Sequence, residues 1–234
     1  MKLNDLDVEV VLKDIKNVHL SVYPPNGRIK VAAPRSMSTD TLRVYVISKL
    51  GWIRKQQAKL RGQEREAPRE YVDRESHYFN GRRYLLKIIE GDKLAKVELR
   101  PQAIELHIRP GTPKEKRHLL LSEWYRQQLK IVIPKIIRKY EKLMGVEVRE
   151  FGVKKMRTKW GTCNPEAKRI WLNLELARKP AECLEYIVVH EMAHLLERTH
   201  NDRFVSLMNE YMPKWRFYKD ELNRLPVIHV DWGY

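Results

Sequence analysis

The segment Tyr186-Ile187-Val188-Val189-His190-Glu191-Met192-Ala193-His194 decides the fold of this 234-residue chain. Its two histidines are four positions apart, so both imidazoles lie on one face of a helix and can bind the same metal ion. Glu191 follows the first histidine directly and can reach a water molecule on that ion. The segment therefore predicts a buried helix, from about residue 180 to 196 or 197, that carries a metal site.

The third ligand of this site is less closely specified. Catalytic zinc usually has three protein ligands and one open position. We expect His200 to complete the set, because it follows His194 by six residues and lies just beyond the predicted helix end. Glu197, on the same helix, and Glu210, on the next one, remain alternatives.

The rest of the chain predicts an α+β fold. Alternating apolar residues and turn signals predict strands near 8–12, 18–22, 28–32, 84–89, 94–99, 103–108, 147–151, 155–158 and 169–174. Helical periodicity predicts further helices at about 38–60, 113–143, 202–211 and 214–223. Pro134 should kink or split the second of these. The turn signal Pro24-Pro25-Asn26-Gly27 predicts that the strands at 18–22 and 28–32 form a hairpin. Asn80-Gly81 predicts a second tight hairpin turn, and no internal repeat is visible.

Composition limits the classes of function. The chain has 46 Lys and Arg against 30 Asp and Glu, a net charge of +16. Such an excess favours an acidic partner, such as nucleic acid, an anionic membrane or acidic protein, although a solvated surface would also explain it. We expect no membrane association, because the apolar runs fall well short of the ~20 residues of a span. We expect no signal peptide at the N-terminus and, because Cys163 and Cys183 cannot form a disulfide framework, a reduced, cytoplasmic setting.

Several other motifs accompany the histidine helix. They are Lys159-Trp160-Gly161-Thr162-Cys163, Arg169-Ile170-Trp171-Leu172-Asn173, His200-Asn201-Asp202-Arg203-Phe204 and the segments 27–34, 49–60 and 80–84. Together with that helix they resemble the YgjP-like metallopeptidase family, zincins that are related to the SprT and WLM metalloproteases. The resemblance extends over about residues 18–224.

This resemblance implies a zincin-like catalytic domain that hydrolyses peptide bonds in a protein or peptide substrate. The family's metal ligands correspond to His190, His194 and His200, which would bind Zn²⁺, and its catalytic general base corresponds to Glu191. We expect a β-hairpin-rich N-terminal region with one helix at 1–110 and the zincin-like metallopeptidase core at 111–234. The two regions can also form one continuous domain.

Other residues near the motif receive less specific predictions. Segment 160–163 should form a tight turn near the site, with Gly161 in an unusual backbone angle. Cys163 is expected to be a small buried residue rather than a ligand. Residues 169–174 form either an edge strand that an extended peptide could pair with or an internal strand. The candidates for stabilising the oxyanion are Arg157, Lys159 and Tyr211.

Two other functions compete with peptidase activity. The first is a nucleic-acid-associated protein of SprT-like type, in which DNA binding directs or dominates over proteolysis. Basic and aromatic residues alternate at 52–55 and 215–219, although an amphipathic helix with a basic solvent face is the favoured explanation for them. The second is an interaction domain with an inactive site. The predicted ligand helix contains four glutamates and no Lys or Arg, so the basic charge lies elsewhere.

Overall fold

The computed structural model describes residues 1–3, 5–23, 27–62, 65–66, 69–92, 94–156, 159–225 and 227–228. It confirms the α+β class. The chain forms two compact units, Met1–Pro68 with Pro226–Tyr234, and Arg69–Leu225. The domain boundary that the sequence places between residues 110 and 111 stays a prediction. In the described part of the chain, no helix is both long enough and apolar enough to cross a membrane.

The described elements follow one another along the chain. The strands are β1 (Lys2–Leu3), β2 (Leu6–Lys13), β3 (His19–Tyr23), β4 (Arg28–Pro34), β5 (Arg65–Glu66), β6 (Ser76–Phe79), β7 (Arg82–Glu90), β8 (Lys96–Leu99), β9 (Ala103–Ile108), β10 (Glu150–Lys154), β11 (Gly161–Asn164), β12 (Arg169–Asn173) and β13 (Val227–Ile228). The helices are α1 (Thr39–Ser48), α2 (Leu50–Gly62), α3 (Lys114–Met144), α4 (Ala181–Ala193), α5 (Asp202–Tyr211) and α6 (Trp215–Arg224), with a 3₁₀ turn at Leu174–Arg178.

The first unit contains a four-stranded sheet in the order β1-β2-β4-β3. Strands β3 and β4 pair as the predicted antiparallel hairpin, whereas β2 lies parallel to β4. The predicted turn residues Pro24, Pro25 and Asn26 lie outside the described residues. The predicted helix at 38–60 divides at Lys49 into α1 and α2. Apolar residues of the sheet and both helices form one core: Leu6, Val8, Ile29, Val31, Ala33, Leu42, Val46 and Ile53.

A four-stranded sheet of the same topology opens the second unit. Its order is β6-β7-β9-β8, with β7 parallel to β9 and antiparallel pairs at both edges. The β6–β7 hairpin turns at Asn80 and Gly81, whose φ angles of 47° and 74° are those that a tight two-residue turn requires. The sequence shows no repeat, but the two units share this strand order.

Helix α3 follows this sheet and packs against it. Its buried residues recur every three or four positions: Leu121, Tyr125, Leu129, Ile133, Ile137, Tyr140 and Met144. The helix is continuous through Pro134, so a split at that residue is wrong. It ends where Gly145 adopts a left-handed conformation (φ 65°) and its N–H donates to the carbonyl of Glu141.

A three-stranded sheet then leads into the histidine helix. Its order is β10-β12-β11, so the segment 169–173 is an internal strand and the edge-strand alternative for it is wrong. A strand was expected at 155–158, but residues 155 and 156 have no strand structure and 157–158 lie outside the described residues. The next strand is β11, at Gly161–Asn164.

Candidate active site

Helix α4 carries the first two predicted ligands. It begins after Pro180, which the tip of the β6–β7 hairpin contacts so closely that a Cβ on Gly81 would lie 2.9 Å from Pro180 Cγ. Nine of its thirteen residues are buried, so apolar packing fixes the helix in the second unit. It ends at Ala193, and His194 is its C-cap. The helix is therefore about one turn shorter than the sequence predicts, and the chain after His194 is free to turn back.

That turn brings His200 to the helix. His200 Nε2 lies 3.0 Å from His190 Nε2. The ligand atoms of His190, His194 and His200 all lie within 4.8 Å of one another. Asn201 follows directly and caps α5, its side chain accepting a hydrogen bond of 3.0 Å from the Phe204 N–H. The end of α4 and the start of α5 thus fix all three imidazoles.

The Phe204 ring packs against the rings of all three histidines. Its ring centroid lies 5.0 Å from that of His190 and 4.7 Å from those of His194 and His200, and the residue is only 2% exposed. In the sequence, Phe204 is noted only as part of the motif that carries the family resemblance. Its position four residues after His200, on the inner face of α5, is the signal that could have identified it.

The imidazoles are held in the form that binds a metal ion. His194 Nδ1 lies 3.0 Å from the Glu197 carbonyl oxygen, which can only accept a hydrogen bond. Nδ1 therefore carries the proton, and the lone pair of Nε2 is available to bind a metal ion. Burial, reinforced by the neighbouring imidazoles and Lys219, lowers the pKa of His190 to about 3. Burial, together with His194 and Lys219, also lowers the pKa of His200. Neutral histidine is the metal-binding species.

The two acidic alternatives lie differently. The Glu197 carboxylate accepts hydrogen bonds of 3.1 Å from the backbone N–H and the hydroxyl of Thr199. Glu210 is exposed on α5 and does not belong to the group of neighbouring donor atoms formed by the three histidines. Among the described residues, His200 is therefore the one that joins His190 and His194.

Glu191 is buried beside these histidines, with 5% of its surface exposed. Burial raises the pKa of its carboxyl to about 8, and the Lys159 ammonium opposes this shift. Its side chain packs directly on the backbone of Gly161, where a Cβ would lie only 2.6 Å from Glu191 Oε1. Gly161 starts strand β11 and has no positive φ, so the expected tight turn with an unusual angle is wrong. A glycine is required there for close approach.

An open cleft of about 800 Å³ gives access to the site. Strand β11 lines it on one side, and Tyr186, Lys219 and Asn223 line it from α4 and α6. Of the candidate oxyanion residues, Lys159 lines the cleft, Tyr211 does not, and Arg157 lies outside the described residues.

The two cysteines lie outside the histidine group. Cys163 is half-buried in the cleft wall, and burial, together with the charge of Glu191, raises the pKa of its thiol to about 12. Cys183 is fully buried in α4. Neither thiol belongs to the group of donor atoms that the three histidines form.

Asn173 fixes the chain that enters β11. Its side-chain amide donates to the carbonyls of Met156 and Lys159, at 3.0 and 2.8 Å, and its oxygen accepts from the N–H groups of Met156 and Glu175. The residue is 5% exposed. Sequence reasoning missed this role, because the partners are separated from Asn173 by up to 17 positions.

A second group of potential ligands lies on β8 and β9. Glu98, Glu105 and His107 have neighbouring ligand atoms. Both carboxylates are already engaged by cations, however: Arg100 lies 3.0 Å from each of them, and Lys96 lies 2.9 Å from Glu98. The group is therefore accounted for as an ion-pair network.

The described residues thus bring three imidazoles together beside a buried glutamate. A family model described as YgjP-like metallopeptidase domain matches residues 16–225, and the chain belongs to this family.

Comparison with solved structures finds two similar chains. The first is the metallopeptidase zymogen abylysin of Pyrococcus abyssi, with 18% identity, a TM-score of 0.36, and coverage of 41% of this chain and 99% of that one. The second is the metallopeptidase zymogen jannalysin of Methanocaldococcus jannaschii, with 20% identity, a TM-score of 0.35, and coverage of 38% and 92%. Among curated proteins no match is found.

Proposed function

We propose that this protein is a zinc-dependent metallopeptidase in which His190, His194 and His200 bind the metal and Glu191 is the general base. Membership of the metallopeptidase family supports the reaction class. The observation that carries the residue assignment is the convergence of three imidazoles beside a buried glutamate in an open cleft. Cytoplasmic location remains part of the proposal.

The donor set fits zinc. Three neutral imidazoles leave a fourth position open in a tetrahedral site, which is typical of catalytic zinc. With Zn–N bonds of about 2.05 Å, two ligand nitrogens of a tetrahedron are separated by roughly 3.3 Å. The 3.0 Å between the Nε2 atoms of His190 and His200 is close to this value. When bound, zinc would lower the pKa of a water molecule toward ~7 and polarise the substrate carbonyl.

Glu191 transfers the proton during hydrolysis. Its carboxylate accepts a proton from the attacking water and donates it to the leaving amine. Close packing on Gly161 limits where this carboxylate can lie. Lys159 favours the ionised, proton-accepting form, against the effect of burial.

Strand β11 is suited to align the substrate. It pairs with β12 on one side, and among the described strands it has no second neighbour. Its residues Gly161–Asn164 line the cleft beside Glu191. An extended peptide can add to such an edge through main-chain hydrogen bonds. Pairing with an extended peptide, which the sequence analysis considers for residues 169–174, is therefore proposed for β11.

The test compares wild type with Glu191→Gln. We expect both to bind about one zinc per chain and to unfold at similar temperatures. The rate of peptide hydrolysis should fall by about 10²–10⁴-fold in the variant, because the general base is missing. Glu166→Gln is a matched control, since Glu166 also lines the cleft but is exposed and paired with Arg198 at 2.8 Å. Undiminished hydrolysis by metal-loaded Glu191→Gln would contradict the proposal.

Nucleic-acid binding is a second candidate, favoured by helix α2. This helix has no acidic residue, and its exposed side chains include Trp52, which is 44% exposed, next to Arg54 and Lys55. Basic and aromatic side chains of this kind bind phosphate and stack on bases. DNA binding would then direct the peptidase to its substrate. A salt titration of DNA affinity tests this: Lys55→Glu should weaken binding and flatten the salt dependence, and no binding at low salt would exclude it.

A further inference from the structure

The charged side chains of the cleft are not balanced. Apart from Glu191, they are Lys159, Glu166, Arg198 and Lys219. Glu166 and Arg198 form an ion pair of 2.8 Å with each other. Neither lysine forms an ion pair with a carboxylate among the described residues of the cleft, although the charge of Lys159 acts on Glu191.

Lys219 lies on α6 and faces the histidines. Its Nζ is 5.5 Å from the centroid of the Trp215 ring, and the residue is exposed. It is close enough to contribute to lowering the pKa of both His190 and His200. Its ammonium therefore adds positive charge on the α6 side of the cleft.

Lys159 also lines the cleft and lies two residues before β11. The Asn173 amide donates to its carbonyl at 2.8 Å, so the backbone of Lys159 is fixed although its side chain is exposed. Its charge acts on Glu191 from the β11 side. The two ammonium groups thus line one cleft and act on different groups of the site, Lys219 on His190 and His200 and Lys159 on Glu191.

We propose that Lys159 and Lys219 make the cleft selective for acidic peptides, whose Asp or Glu side chains flank the bond to be cleaved. This inference rests on the proposed peptidase function. A peptide is the favoured anion because the strand edge beside Lys159 offers main-chain hydrogen bonds that a phosphate backbone cannot match. One exposed ion pair contributes modestly, so we expect up to about fivefold in kcat/KM for each lysine.

The experiment uses quenched fluorescent peptides in matched pairs that differ only by Glu or Gln on either side of the cleaved bond. We expect the zinc-loaded protein to prefer the Glu peptides, chiefly through KM, and this preference to shrink as salt is added. Lys219→Met and Lys159→Met should each reduce it, and Lys219→Glu should reverse it on one side of the bond. Lys214→Met is the matched control, because Lys214 is an exposed lysine next to α6 that does not line the cleft.

Binding separates this inference from the proposed function. Fluorescence anisotropy of the same labelled peptides on zinc-loaded Glu191→Gln measures selectivity without hydrolysis. If the wild type cleaves no peptide, the peptidase proposal fails, but tighter binding of the Glu peptides that depends on Lys219 would still support the lysine assignment. Equal affinity for Glu and Gln peptides would overturn it. So would a single-stranded oligonucleotide that displaces the Glu peptide from wild type more effectively than acidic peptide does.

Discussion

Replacing Gly161 by alanine should displace Glu191 and leave the rest of the site in place. An ideal Cβ on Gly161 lies 2.6 Å from Glu191 Oε1, 2.7 Å from Cγ and 2.8 Å from Cδ. Non-bonded carbon atoms normally keep about 3.5–4.0 Å apart. The Glu191 side chain must therefore retreat by about 1 Å. The alanine itself is unstrained, because Gly161 lies in a strand with no positive φ.

The expected loss of activity is larger than the expected loss of folding stability. A misplacement of about 1 Å in a catalytic group costs roughly 10²-fold in rate, or about 2.7 kcal/mol of transition-state stabilisation. The atoms that must move belong to a flexible side chain, so the loss of folding stability should stay near the lower end of overpacking costs, about 1 kcal/mol. In a chain of this size that lowers Tm by about 2–4 °C.

The assay measures kcat/KM on a quenched peptide, zinc content and thermal unfolding for wild type, Gly161→Ala and Gly91→Ala. Gly91 is the matched control, because a Cβ there meets nothing within 4 Å and its φ is not positive. We expect Gly161→Ala alone to lose activity, at full zinc content. Unchanged kcat/KM in metal-loaded Gly161→Ala would refute the reasoning, and so would loss of zinc in proportion to activity.

Three further outcomes are expected. Asn173→Ala removes four buried hydrogen bonds and should lower the free energy of unfolding by about 2–4 kcal/mol in a urea titration, and a loss no larger than that of the exposed Asn164→Ala would contradict this. Burial lowers the pKa of His77 from 6.5 to about 3, so its contribution to stability is present above pH 6.5 and is lost as pH falls toward 3. Urea titrations at pH 7 and pH 5 should show a smaller pH effect in His77→Gln than in wild type, and equal effects would count against it. His200→Ala should weaken zinc binding by more than about 100-fold in a competition with a chromophoric chelator, whereas Glu197→Ala should not, and the opposite result would make Glu197 the ligand.

Local patterns predicted much of this fold. Apolar residues that repeat every two positions predict the strands at 8–12, 28–32 and 103–108, and those that repeat every three to four positions predict the long helix α3. The burial patterns of these elements follow the same periods. The hairpin at Asn80-Gly81 was found because few residues adopt two positive φ angles in succession. The motif on α4 likewise indicated that His190 and His194 lie on one face, whereas His200, whose ring lies beside them, was one of three candidates for the third ligand.

Contacts between distant segments were not predictable in this way. Gly161 suggests flexibility in a sequence, but here its role is steric, because Glu191, thirty positions later, packs on it. Lys219 looks like one of many surface lysines until α6 folds back beside α4 and places it in the cleft. The end of α4 at Ala193 was also missed, since the apolar residues Leu195 and Leu196 continue the helical pattern into the turn.

The two four-stranded sheets have the same strand order, but the residues of the proposed active site follow only the second of them. Each sheet combines an antiparallel hairpin with one parallel pair and is followed by helix, in the first unit as in the second. All three histidines and Glu191 lie on elements that come after α3, and the described part of the first unit contains nothing that corresponds to them. The strand arrangement alone therefore does not produce the site, which depends on the segments that follow α3 in the second unit.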